Sequence, residues 1–201
     1  MAYFIGEYRI LTPLEVFKLY MTAEKLQSKI EFMFYVSTGM RYNEGGYILD
    51  NFDKIDFDDR VIHYESNKKW DKERIWKDRD VYLSYWDMLN VFNFISVNSG
   101  HKINPIYANL TRNLYNWANA NGMGSKGLGA RCVRKTRFVW LLKAFPESEE
   151  AIIKSMDYDP VKNATLGMND DALELYKGVP FTEKEVKLVK ALLHGWSGEL
   201  K

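Results

Sequence analysis

A mainly α chain with one small antiparallel β-sheet is predicted from three observations. Capping boxes open two segments of helical period, Thr12-Pro13-Leu14-Glu15 near the start and Thr182-Glu183-Lys184-Glu185 near the end. Apolar residues recur at i, i+3, i+4 and i+7 through most of the chain. Only between about Lys54 and Ser84 does the period fall to two. With 201 residues, 46% of them hydrophobic and 15% aromatic, the chain reads as a single domain with a full core.

The elements follow in order. A helix is expected from Pro13 to about Met21, and another over 24–37 with Leu26, Ile30, Met33 and Phe34 on its buried stripe, stopped by Gly39. Arg41 then stands just past a helix end, held by a turn. Lys54–Asp58, Arg60–Glu65 and Arg79–Ser84 read as strands, the last two joined by a loop carrying Lys68, Lys69, Lys72, Arg74 and Lys77. Helices return at 85–97 and about 105–120. Four glycines in the nine residues from Asn121 to Gly129 predict a mobile approach to the next helix, in a spacing that fits neither the Rossmann nor the P-loop pattern.

That next helix is the most informative. Phe138, Leu141, Leu142 and Phe145 form a core-facing stripe, and Arg134 heads it four residues earlier. A guanidinium in such a place is always charged and is expected to meet a fixed anion. Arg131 lies one turn further back. From Lys126 to Pro146 there are six cations (Lys126, Arg131, Arg134, Lys135, Arg137 and Lys143) and no acid, although the net charge of the chain is only +1. Residues 147–201 are the reverse, with eleven acids against seven Lys/Arg. Pro146 ends the basic helix, 147–157 forms another, 159–171 is a weakly patterned loop with a short helix, and the last helix from Thr182 buries Val186, Val189, Leu192, Leu193 and Trp196.

Composition also excludes. A lone cysteine, Cys132, rules out an internal disulfide framework and a cysteine-rich zinc site, and three scattered histidines argue against a structural metal. There is no apolar run of membrane-span length and no signal-peptide pattern, which places the expected location inside the cell.

Two arginines after separate helices, a lysine-rich hairpin and a tyrosine before the last helix are the groups that phosphodiester transesterification without a metal requires. Guanidiniums hold the non-bridging oxygens, a lysine protonates the leaving oxygen and a phenolate attacks. In this respect the chain resembles the tyrosine recombinases, the phage-type integrase family, and within it the integrases of archaeal viruses and plasmids. Ser37-Thr38-Gly39-Met40-Arg41-Tyr42-Asn43-Glu44 is similar to that family's Thr-Gly-x-Arg-x-x-Glu box. Val133-Arg134-Lys135-Thr136 followed by Trp140-Leu141 is similar to its Arg-Lys-Thr helix, and Tyr176-Lys177-Gly178-Val179-Pro180-Phe181-Thr182 to its tyrosine box.

The resemblance implies a recombinase catalytic-domain fold, with a helical DNA-clamping domain preceding Met1. It implies Arg41 and Arg134 as the phosphate-gripping pair, Glu44 as the acid that orients Arg41, and Arg131 at the position where most members have histidine. Lys68, Lys69 and Lys72 are equal candidates for the general acid, and Tyr176 for the nucleophile. Lys126, Lys135 and Arg137 are expected to contact DNA. Where the family has Gly-His, this chain has Asp157-Tyr158, and Arg134 and Tyr176 stand 42 residues apart, which leaves Tyr158 as a rival nucleophile. The implied partner is double-stranded DNA, with self-association into a tetrameric synapse, and the implied chemistry uses no cofactor. Two other readings share the fold: a DNA-binding protein without activity, and an enzyme that nicks and reseals one strand.

Overall fold

Thr12 accepts a hydrogen bond from Glu15 N through its hydroxyl, and the Glu15 carboxylate accepts one from Thr12 N, so helix α1 (Pro13–Thr22) begins with two otherwise orphaned donors satisfied. The same reciprocal bonds between Thr182 and Glu185 start the last helix, Glu183–Leu192. The structure, a computed structural model, describes residues 2–65, 78–98, 107–158 and 172–199. Among them the architecture is mainly helical with a small antiparallel sheet. Between its ends lie α2 (Leu26–Thr38), α3 (Gly45–Asp50), α4 (Tyr85–Asn98), α5 (Tyr107–Ala120), α6 (Ala130–Ala144), α7 (Glu149–Ser155) and α8 (Ala172–Lys177), with Glu183–Leu192 as α9. The loop expected at 159–171 lies outside the described residues.

A short hairpin precedes α1: β1 (Tyr3–Ile5) pairs with β2 (Tyr8–Ile10). Sequence reading did not anticipate it, because strands of three residues are too short to show a period. The expected sheet is present as β3 (Ile55–Asp56), β4 (Val61–Tyr64) and β5 (Arg79–Tyr82), antiparallel in the order β3-β4-β5, with Tyr64 opposite Arg79.

α6 lies at the centre of the packing. It touches β2, α2, α7, α8 and α9. From Thr136 to Leu142 every residue is buried, and Trp140 donates its indole N–H to Leu11 O at 2.9 Å. Phe138, Leu141 and Leu142 are buried as the stripe predicts, but a helix enclosed on this many sides buries more than a stripe. The same reason corrects α2. Leu26 at the start of its expected stripe is 64% exposed, whereas the end of the helix, packed against both α4 and α6, buries Phe32, Phe34, Tyr35 and Val36. Phe34 stacks on Phe94 of α4 with ring centroids 4.0 Å apart.

The glycine-rich approach to α6 is clasped rather than free. Arg9 N donates to Gly127 O at 2.9 Å, and the Arg9 guanidinium donates to Met123 O and Gly124 O at 2.9 and 3.1 Å. Gly127, at φ +74°, is required there, since a Cβ would lie 2.6 Å from Glu7 O. Among the described residues no helix is long and apolar enough to cross a membrane, and no group of three His, Cys, Asp or Glu could hold a metal ion.

A candidate anion-binding active site

Gly39 ends α2 in the left-handed conformation, φ 61°, with its N–H bonded to Tyr35 O. A Cβ there would lie 2.8 Å from the Met156 methyl and 2.9 Å from Arg137 Cγ, so backbone and packing both demand glycine. Two residues on, the chain makes a single 3₁₀ turn, Tyr42–Glu44, and folds Glu44 back onto Arg41. The Glu44 carboxylate accepts from Arg41 N at 2.7 Å and from Arg41 Nη1 at 2.9 Å. The second fork of Arg41 reaches Asp157 Oδ2 at 2.8 Å. Asp157 follows α7 and holds φ 43°, a left-handed conformation that only short polar residues adopt readily.

A third arginine enters from the sheet. Arg79 donates to both Glu44 oxygens, at 3.2 and 2.6 Å, and through Nε to Ser155 O at 3.1 Å, with its guanidinium 4.6 Å from the centre of the Tyr64 ring. Burial alone would raise the Glu44 carboxyl; the Arg79 ion pair, helped by Arg134 and Arg41, overcomes it and holds the group at about 2. Glu44 is therefore a fixed anion. Arg79 was not singled out from the sequence, although a period-two reading of Arg79, Val81 and Leu83, all buried, puts it on the inward face of its strand.

A fixed anion is expected at Arg134, but among the described residues no carboxylate bonds to it directly. Its guanidinium donates to Gly39 O at 2.6 Å and to Met156 O. These are the C-cap residues of α2 and α7, whose carbonyls lack helical partners and sit at the negative ends of two helix dipoles. One planar fork thus closes two helix ends. Burial, then the Arg41 guanidinium, lowers the Arg134 value, while Glu44 and Asp157 oppose them. Among the described residues, Arg41, Arg79 and Arg134 together face two carboxylates, those of Glu44 and Asp157.

Tyr176 of α8 is buried beside this cluster. Its hydroxyl accepts a hydrogen bond from Lys135 Nζ, and its ring meets Phe138 edge-on at 4.9 Å and Tyr158 at 6.0 Å. Burial raises the phenol, and the charge of Arg134 works against that rise. Tyr158 stacks on the same Phe138 ring, at 5.0 Å, so both candidate nucleophiles share one aromatic group.

The cations expected on a DNA-facing surface divide. Lys126 is exposed, 5.9 Å from the Phe4 ring centre, and Arg131 is exposed and donates to Tyr8 Oη at 3.2 Å. Arg137 is not a surface residue: it is 1% exposed and donates to both oxygens of Asp87, at 3.1 and 2.6 Å, inside the core. Lys135 is half-buried between the rings of Tyr8 and Tyr176 rather than open to solvent. Lys68, Lys69 and Lys72 lie outside the described residues. Compared with family models, with curated proteins and with solved structures, the chain has no match.

Proposed function

We propose that this chain cuts and rejoins DNA in the manner of the tyrosine recombinases, through a covalent 3′-phosphotyrosyl link formed by Tyr176. The reading rests on one observation: a cluster of three arginines, Arg41, Arg79 and Arg134, facing two carboxylates among the described residues and built next to a buried phenol that feels the charge of Arg134. A phosphodiester is the anion that needs both parts. Guanidiniums held by Glu44 and by helix-end carbonyls are fixed before the reaction and lose little freedom as charge grows on the non-bridging oxygens. The Tyr176 oxygen attacks phosphorus, the 5′ oxygen leaves, and the bond energy is kept in the new ester. A 5′ hydroxyl from another strand then reverses the step. DNA is the proposed partner, the cell interior the proposed location, and assembly of several copies on DNA follows the resemblance in Thr38-Gly39-Met40-Arg41 and Val133-Arg134-Lys135-Thr136.

The test is incubation with double-stranded DNA carrying a nick beside the cleavage site, so that cutting releases a short fragment and traps the adduct. A covalent protein–DNA band whose modified peptide contains Tyr176 supports the reading. DNA on Tyr158 moves the nucleophile, and no adduct with any target favours the second reading. That second reading, a DNA-binding protein without strand cleavage, is favoured by Asp157, which pairs with Arg41 at the place matched to the family's glycine, next to Tyr158, which stands where the family has a histidine for the phosphate.

A further inference from the structure

Resting on the strand-transfer reading above, we propose that Lys135 is the proton acceptor for Tyr176, a catalytic role distinct from the leaving-group acid expected on the hairpin. The Lys135 amine is in hydrogen-bond contact with the atom that would attack, the Tyr176 oxygen. It is also enclosed: its nitrogen lies 4.8 Å from the centre of the Tyr8 ring and 5.0 Å from that of Tyr176. Among the described residues no carboxylate forms an ion pair with it. The two rings favour the ammonium as cation–π partners, so it is burial and the neighbouring guanidiniums that oppose a permanent charge on the amine.

The charged groups around it point the same way. On its own helix Arg131 and Arg134 repel a proton on the amine; from the β1–β2 turn only Glu7 attracts one; on α8, Glu174 and Lys177 pair with each other at 3.0 Å, and Lys177 with Glu149 at 2.6 Å. Burial, then Arg131 and Arg134, lowers the lysine value, while burial raises the phenol. Both shifts favour the neutral forms, and a neutral amine has a lone pair to which the phenol O–H can turn, reversing the direction of the Lys135–Tyr176 hydrogen bond as a general base requires.

In the forward step the Tyr176 O–H bond breaks and its proton goes to the Lys135 lone pair as the O–P bond forms. The bond from phosphorus to the 5′ oxygen breaks, and that oxygen takes a proton from a separate acid or from water. The new ammonium then lies one residue from Arg134 and next to the phosphate ester, a fourth cation appearing only once the ester has formed. On rejoining, Lys135 returns the proton to the departing phenolate. The same amine serves both directions, as reversibility requires.

Single-turnover adduct formation at saturating nicked DNA, followed across pH, tests this with Lys135→Met, which keeps the volume of the side chain, and Lys135→Arg, which keeps its charge. Loss of a general base is expected to slow the methionine variant about 10²–10⁴-fold at neutral pH. The deficit should narrow toward the ordinary tyrosine range near ~10, with DNA affinity and its salt slope unchanged. Arginine should not restore the rate, because it cannot accept a proton. A methionine variant at full rate, or rescue by arginine, overturns the proposal. Carbon-13 NMR of the lysine Cε signals supplies a readout that needs no DNA: Lys135, identified by the signal missing in Lys135→Arg, should titrate below the ordinary lysine range near ~10.4. A midpoint within that range overturns the proposal. If wild-type protein forms no adduct at all, the strand-transfer reading fails, and the titration decides the lysine–tyrosine pair by itself.

Discussion

Two carboxylates of this protein are buried against arginines, and they do not behave alike. Asp87, fully buried, has one guanidinium, Arg137, and two bonds with Ser84; burial pushes its carboxyl up, with Arg137 pulling against that rise. Glu44 is 3% exposed, nearly as enclosed, yet it is held at about 2, because Arg79, Arg134 and Arg41 all act on it. One pair is electrically closed and fastens α4 to α6. The other, among the described residues, gathers three guanidiniums around the carboxylates of Glu44 and Asp157. The lesson is that a buried arginine alone says nothing about function; a local surplus of fixed positive charge does, since only that surplus leaves work for an incoming anion.

The largest effect should come from breaking the closed pair. Arg137→Met leaves Asp87 buried and unpaired and should cost roughly 3–5 kcal/mol of stability, read as a lowered denaturant midpoint. Adding Asp87→Leu should return stability to near the wild-type value, since a buried pair replaced by apolar groups of similar volume is often neutral. Failure of the double variant to recover would mean that the pair is not an isolated structural unit.

The arginine cluster should respond in rate rather than in folding. Arg41→Ala is expected to reduce strand cleavage by ~10²–10³, about 3–4 kcal/mol in the barrier, with a much smaller change in unfolding than Arg137→Met. Lysine at position 134 should fail to substitute, because a point charge cannot bridge the carbonyls of Gly39 and Met156 with one planar fork. Near wild-type cleavage by Arg41→Ala would erase the functional side of the contrast.

Acid sharpens the contrast further. With a folded-state value of about 2 against an ordinary 4.5, Glu44 contributes stability that is complete above about pH 4.5 and is lost as pH falls toward 2. The amount is about 3 kcal/mol, and Glu44→Gln should flatten that part of the stability profile. Asp87, displaced in the opposite direction, has the opposite sign: its cost is felt above its folded-state value and is relieved as pH falls through it. An Asp87→Asn variant that removes the acid limb while Glu44→Gln preserves it would reverse the assignment.

The smallest effect separates surface from core cations. Lys126→Gln should reduce the salt dependence of DNA binding by about one unit of slope, whereas Arg137→Met should leave the slope unchanged. A slope that ignores Lys126 means that the exposed start of the basic stretch faces something other than DNA.

Much of the frame is readable in the chain because it is local. The Thr12–Glu15 and Thr182–Glu185 boxes need four consecutive residues each, and Gly39 stops α2 through its own φ, which delivers Arg41 to a turn and Glu44 to Arg41. The stripe from Phe138 to Leu142 likewise marks the central helix. None of this local chemistry separates Arg134 from Arg137, arginines one turn apart on that helix. Tertiary packing divides them: the ends of α2 and α7 bring two carbonyls to Arg134, while α4 brings Asp87 to Arg137 and takes it into the core. Packing also supplies Arg79, Asp157 and the contact of Lys135 with Tyr176, each joined to its partner across 35 to 116 residues of chain. Helix starts, stops and apolar faces are set by neighbours along the chain; the net charge of a site is set by whatever distant side chains the fold brings to it.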